Sequence, residues 1–204
     1  MPDLMFANHV GPVTEEIPRS FAIQTSPDTD IWRKPPSLDV FNAPIRHRII
    51  PLNTFVKARV TVIADWVRLY DQGGLLLAVL KSDGSKKWVK SGIEFVEGKP
   101  HISTVATDRW ADWSLRPPMQ DDQNQSASAT MEMVKEGVSL WVYLIDGHQR
   151  LPIREVTWVF EDEASQNEEC WIGVYAARPS KDPGTLEVRF DDFHIETRGA
   201  ETLT

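Results

Sequence analysis

The sequence predicts an all-β protein, a single-domain β-sandwich of two antiparallel sheets. Three observations carry that expectation. Helical periodicity is nearly absent, apolar residues recur with a period of two in short runs, and turn-forming strings separate the runs. Residues 54–64 show the pattern most plainly: Val56, Ala58, Val60 and Val62 alternate with Lys57, Arg59 and Thr61. Similar runs follow at 69–80, 87–96, 101–107, 138–145, 158–160, 171–177 and 186–196. Between them stand Ser82-Asp83-Gly84, Glu97-Gly98, Asp146-Gly147 and Asp182-Pro183-Gly184. Many short strands with such punctuation argue for a sandwich and against βαβ units.

Composition narrows the partners. With 22 Lys+Arg against 30 Asp+Glu the net charge is −8, so the clustered positive charge that grips phosphate backbones or anionic membranes is missing. Neither nucleic acid nor membrane is therefore expected as a partner. No run approaches the ~20 apolar residues of a membrane span. The first residues carry Asp3 and no basic stretch before an apolar core, so no secretory leader is expected. A lone Cys170 excludes an intrachain disulfide and suits a reducing, cytoplasmic setting.

Residues 1–18, polar with Pro12 and Pro18, read as an irregular arm. Residues 19–197 form the sandwich, with a long polar loop at about 116–129, and 198–204 form a tail. The string Asn124-Gln125-Ser126 in that loop is formally a glycosylation sequon; without a leader it reads as accidental. In the last run Leu186, Val188 and Phe190 share one parity and Phe193 and Ile195 the other. One extra residue at Asp191-Asp192 restores the inward face, which is what a β-bulge does. Two adjacent carboxylates fall far short of a calcium shell.

Sorting each strand by parity gives the candidate site. An aliphatic set (Val60, Val62, Leu75, Leu77, Val79, Val89, Ile93, Phe95, Val142, Leu144, Ile172, Val174, Val188 and Phe190, with Val56) is expected to fill the core. Opposite it stand Tyr70, Gln72, Trp88, Lys90, Glu94, Trp141, Tyr143, Trp171 and Tyr175, around a floor left by Gly74, Gly92 and Gly173. Trp113 is expected to form a wall. Aromatic faces beside bare glycine suit the flat C–H patches of a sugar, while Gln72, Lys90 and Glu94 supply directional bonds. Two readings of this face stay open: an open groove, or a second core covered by the arm or by residues 108–129.

Catalytic and metal constellations are weaker. Glu94 and Glu97, three apart in a strand, point to opposite faces and cannot flank one glycosidic bond. Lys90 and Glu94 share a face but lie about 13 Å apart at strand rise, which reads as a solvated edge. The five histidines (9, 47, 101, 148 and 194) show no paired metal spacing, and Cys170 cannot complete a zinc site. No Gly-x-Ser-x-Gly elbow is present. No catalytic residue, metal or cofactor is expected.

Several strings do resemble a known family: Asp30-Ile31-Trp32-Arg33, Leu69-Tyr70-Asp71-Gln72-Gly73-Gly74-Leu75, Trp88-Val89-Lys90-Ser91-Gly92-Ile93-Glu94-Phe95, Asp112-Trp113-Ser114 and Phe190-Asp191-Asp192-Phe193. Together, over roughly residues 20–196, they are similar to the largely uncharacterised family that includes the fungal regulation-of-enolase proteins. The resemblance implies a concanavalin A-like (jelly-roll) sandwich and, for the fungal branch, a cytoplasmic protein linked to control of a glycolytic enzyme. Related sandwiches serve as sugar-binding modules. The family brings no established catalytic residues. Its members often place a Trp shortly after the turn that is Asp146-Gly147 here, where this chain has Leu151 before Ile153-Arg154. The expected function is thus a non-enzymatic binding or regulatory protein of carbohydrate metabolism, with a protein partner such as enolase or a soluble carbohydrate. A carbohydrate-binding module using the aromatic face is the alternative, and a glycoside-active enzyme lacks its carboxylate pair.

Overall fold

The computed structural model describes residues 5–8, 20–117, 126–161 and 168–199. Strands are numbered along the chain. One sheet has the order β1 (Met5–Ala7), β5 (Ile45–Pro51), β14 (Glu169–Ala177), β7 (Gln72–Leu80), β8 (Lys86–Val96), β9 (Lys99–Thr107) and β10 (Ala111–Arg116). The other runs β13 (Gln149–Val156), β12 (Ser139–Asp146), β11 (Ser126–Glu136), β6 (Phe55–Asp65), β15 (Leu186–Thr197) and β2 (Ser20–Thr25). A separate hairpin pairs β3 (Ile31–Lys34) with β4 (Leu38–Phe41). Pairing within both sheets is antiparallel. Among the described residues no helix is long and apolar enough to cross a membrane.

Seven of the eight expected runs are strands within a few residues of their expected ends. The exception is 158–160, which lies in a turn. Its apolar residues are there because the turn plugs the core: Phe160 is buried and stacks on Phe55 with centroids 6.2 Å apart. Part of the expected arm is ordered, since Met5–Ala7 pairs with Ile45, Arg46 and His47 at the sheet edge; residues 9–18 lie outside the described residues. The expected loop is shorter than 116–129, because β10 runs to Arg116 and β11 begins at Ser126. Asn124-Gln125 of the sequon and residues 200–204 also lie outside the described residues. The bulge is where parity puts it. Between Asp191 and His194 three steps on β15 face two from Thr61 to Arg59, and Asp192 takes φ 53°.

The core between the sheets is built by the expected aliphatic set, all buried except Val56, which is half-buried at the start of β6. A second apolar cluster lies on the other side of the seven-stranded sheet. There Leu76, Ala78, Trp88, Val105 and Tyr175 pack beneath Ile31 of the hairpin, with Ala43 and Ile45 beside them. Among the described residues the cover comes mainly from the β3–β4 hairpin, with Ala7 of the arm and Ala111 packed at its margins. The central strands are buried on both faces, so the aromatic side is largely a second core.

The glycines of that face answer to a neighbouring backbone. Gly74 and Gly92 are directly opposed across β7 and β8, and a Cβ on either would come within 2.6 Å of the other's Cα. At Gly173 a Cβ would come equally close to the Cα of His47 on β5. Strand approach, not a ligand, demands the missing side chains.

Two stability outcomes follow. Trp88→Ala should cost about 3–5 kcal/mol, as a fully buried aromatic does, measured by urea unfolding. A loss well under 1 kcal/mol would mean that the hairpin does not seal this face. Gly92→Ala should leave little folded protein on expression, whereas Gly84→Ala, at an exposed turn where a Cβ meets nothing, should fold with only the strain of its positive φ.

Candidate functional site

At one end of the hairpin the cover is incomplete, and a cavity of about 350 Å³ opens. Its lining comes from three places in the chain. The hairpin and its approach supply Asp30, Trp32 and Lys34; the turn before β7 and the sheet supply Tyr70, Gln72, Lys90, Glu94 and Trp113; Pro179 closes the rim.

The register explains the convergence. Gln72 on β7 sits opposite Glu94 on β8, and Lys90 lies four residues back on the same face. Their long side chains lie along the sheet, and the face is roofed. Lys90 is consequently 2% exposed and Glu94 6%, so they are no solvated edge. The Lys90 ammonium donates to Gln72 Oε1 at 2.5 Å and stands 3.7 Å from Asp30 Oδ1. It also lies 5.8 and 5.6 Å from the ring centroids of Trp88 and Tyr175. Gln72 Nε2 donates to Asp30 Oδ1 and to the Tyr70 carbonyl, both at 3.3 Å. Glu94 Oε2 accepts from the Ser103 hydroxyl at 2.7 Å, and that hydroxyl accepts from the Trp113 indole at 3.1 Å.

These charges titrate abnormally because water is excluded. Burial pushes the Glu94 carboxyl above its ordinary range, while the Lys90 ammonium and the Ser103 hydroxyl pull it partly back. Burial lowers Lys90, opposed by Asp30 and Glu94. The Tyr175 phenol is raised well above its usual range by burial and by the same two carboxylates.

Above this polar floor stand three aromatic walls. Trp32 and Tyr70 each meet Trp113 edge-on, with centroids 6.1 Å apart in both pairs. Tyr70 and Trp113 keep 39% and 36% of their surface in water. Tyr70 adopts φ 66°, a left-handed conformation that non-glycine residues rarely take. Hydrogen bonds from Tyr70 N to Phe95 O and from Phe95 N to Asp71 O, both 2.8 Å, hold it there. The next residue, Asp71, is fully buried against Arg178, which donates to both carboxylate oxygens at 2.8 and 2.7 Å.

The expected site residues therefore separate. Tyr70, Gln72, Lys90, Glu94 and Trp113 line the cavity; Trp88 and Tyr175 lie beneath it, buried in the second core. Trp171 is on the same face but away from the cavity, stacked on His47 at 4.2 Å. Trp141 and Tyr143 are on β12 in the other sheet, where they stack on each other and Arg150 covers Tyr143. Parity within a strand cannot say which sheet the strand joins. Asp30 and Trp32 were missed as site residues: they enter on a hairpin of two four-residue strands, too short to show a period.

Two other depressions, of about 390 and 580 Å³, lack such a floor. The larger is edged by Arg68, Arg178 and Arg189, each already paired with an aspartate. Among the described residues no group of three or more His, Cys, Asp or Glu is placed to hold a metal ion.

Comparison with known proteins gives the family. The chain belongs to the family described as "Protein of unknown function (DUF1349)", which matches residues 10–198. It is 52% identical over 192 residues to "Uncharacterized protein AN7484" of Emericella nidulans, covering 94% of this chain and 93% of that one. It is 31% identical over 93 residues to "Regulation of enolase protein 1" of Saccharomyces cerevisiae, covering 45% and 44%. Among solved structures, a functionally unknown protein from Saccharomyces cerevisiae superposes with TM-score 0.76 at 21% identity over 97% of this chain and 98% of that one. A GH43 protein of Bacillus licheniformis, BlXynB, superposes with TM-score 0.60 at 11% identity over 87% of this chain and 33% of that one. Both likenesses are of fold, and they agree with the sandwich expected from the sequence.

The floor makes a pH-dependent outcome. In Lys90→Met the Glu94 carboxyl stays buried but loses its ammonium, so its folded-state pKa rises further above the unfolded value. The native state then binds the extra proton, and stability lost near neutral pH returns as pH falls through that raised pKa. Lys90→Met should cost about 3–5 kcal/mol near pH 7. Its melting deficit against the wild type should shrink toward about pH 5, and Lys90→Met/Glu94→Gln should remove that pH dependence. A deficit that does not change with pH would contradict the coupling.

Proposed function

We propose that this member of the DUF1349 family is a non-enzymatic, cytoplasmic binding protein of carbohydrate metabolism whose aromatic-walled cavity takes a small soluble saccharide. One observation carries the reading: three partly exposed rings, Trp32, Tyr70 and Trp113, stand over a floor of buried Gln72, Lys90 and Glu94 with half-buried Asp30 at its mouth. Rings offer a flat apolar surface, and the floor offers both donors and acceptors in a water-poor setting, which is how small-ligand sites combine area with direction. The non-enzymatic part is supported by the state of the carboxylates. Asp30 and Glu94 both act on the same buried ammonium, which gives them the task of holding that charge in the fold. The cytoplasmic part is supported by Cys170, a buried free thiol.

A regulatory role through a protein partner belongs to the same proposal. It is supported by the likeness over 93 residues to the yeast protein named "Regulation of enolase protein 1", and a glycolytic enzyme such as enolase is the partner to test. The cavity would let a sugar report to that partner.

Titration of the purified protein with mono- and disaccharides, followed by tryptophan fluorescence and melting temperature, tests the binding part. A ligand held only by the native state raises the melting temperature. Trp113→Ala should abolish the response while shifting the melting temperature of the free protein little, because the ring is at the rim. Sugar consumed or cleaved during the titration, or no response to any sugar, would overturn the reading. Purified enolase assayed with and without the protein tests the partner.

A further inference from the structure

The floor also bears on which saccharides fit. Hydrogen bonds among the described residues occupy Glu94 Oε2 through Ser103, and Asp30 Oδ1 through Gln72 and the Ile31 backbone N–H at 2.7 Å. The Trp113 indole also reaches the Glu94 carboxyl; a carboxylate has about four acceptor sites, so Asp30 and Glu94, both lining the cavity, each keep acceptor capacity for a ligand. Lys90 donates to Gln72 and faces Asp30 at a longer 3.7 Å, which leaves N–H capacity for an incoming oxygen. The ligand must therefore bring donors for the carboxylates and an acceptor for the ammonium. A hydroxyl does both.

Charge narrows the choice further. With Glu94 ionised, Asp30, Glu94 and Lys90 sum to one negative charge; with Glu94 protonated they sum to zero. Neither state holds spare positive charge for an anion, and burial makes an uncompensated charge costly. Lys34 is at the exposed rim of the hairpin, where water and salt screen it. A ligand ammonium would meet no such penalty with Glu94 ionised, so the floor's charge discriminates against anions.

Building on the saccharide reading above, we propose that the cavity selects a neutral polyol ring over phosphorylated and carboxylated sugars. Asp30 and Glu94 are the specificity-determining acceptors, and Lys90 is the donor between them. Trp32 and Trp113 take the C–H face of the ring, so selection against anionic sugars falls to the floor alone.

The test is a calorimetric comparison at fixed ionic strength of glucose, xylose and cellobiose against glucose 6-phosphate and glucuronate. At least one neutral sugar should bind, with each anionic analogue weaker by about tenfold or more. Glu94→Gln keeps the shape and removes a negative charge, so the preference for neutral over anionic sugar should narrow about tenfold. Asp30→Asn, at the half-exposed mouth, should narrow it in the same direction and serves if Glu94→Gln does not fold. Anionic sugars binding as tightly as neutral ones would sink this selectivity and leave the saccharide reading standing. No binding by any of the five sugars overturns both. A preference left intact in a folded Glu94→Gln or Asp30→Asn protein removes the role given to the carboxylates.

Discussion

The cavity depends on one buried ion pair. Asp71 and Arg178 are both almost completely withdrawn from water, and the guanidinium meets the carboxylate in bidentate geometry. Charges so placed survive only when their lone pairs and N–H groups are largely used. Most are met here: Asp71 Oδ2 also accepts the backbone N–H groups of Val67 and Arg68, and each guanidinium nitrogen of Arg178 donates once, Nη1 to the Gly184 carbonyl. The pair thereby ties together three segments distant in sequence. The turn at 67–71 carries Tyr70 and the loop after β14 carries Pro179. The stretch before the hairpin carries Asp30, and it is held by the exchange of bonds between Thr29 and Arg178. Cavity wall, rim and floor all follow from this knot.

The second constraint is that the central strands have no free face. An antiparallel sheet commonly packs one side and wets the other, but here the β3–β4 hairpin lies over the outer side. Opposed glycines on β7 and β8 let those strands approach closely, and large rings from Trp88 and Tyr175 fill the layer under the hairpin. Lysine and glutamate on that face are then enclosed with the rings. Burial that would be prohibitive for one charge is tolerated for a group in which Lys90 faces Asp30, Gln72 and Glu94 together. A polar site has been built inside what is otherwise apolar packing, and only its outer end opens to solvent.

The same architecture accounts for the pattern among relatives. A sandwich is specified by alternating aliphatic residues, which many sequences supply, so fold likeness extends to proteins only 11% identical such as BlXynB. Chemistry resides in the few side chains brought to one end of one sheet, and likeness of fold does not carry it.

How much could be read without coordinates follows from what each signal measures. Period-two alternation reports burial of one face along a strand, so residues 54–64 or 171–177 announced themselves, and the parity break at Asp191-Asp192 disclosed the bulge. Alternation also put Gln72, Lys90 and Glu94 on one face, because they belong to adjacent strands of one sheet. It could not assign strands to sheets, which is why Trp141 and Tyr143 were grouped with residues on the opposite side of the molecule. Short strands such as Ile31–Lys34 fall below the length at which a period is visible, and so the cover of the outer face stayed hidden. The sequence by itself determined the fold class, the aliphatic core and the facing of the polar trio. Only the tertiary structure decided that Trp88 is core, that Asp30 completes the floor and that the face opens at one end. Those depend on contacts between segments tens of residues apart, made by buried charges whose partners no local pattern names.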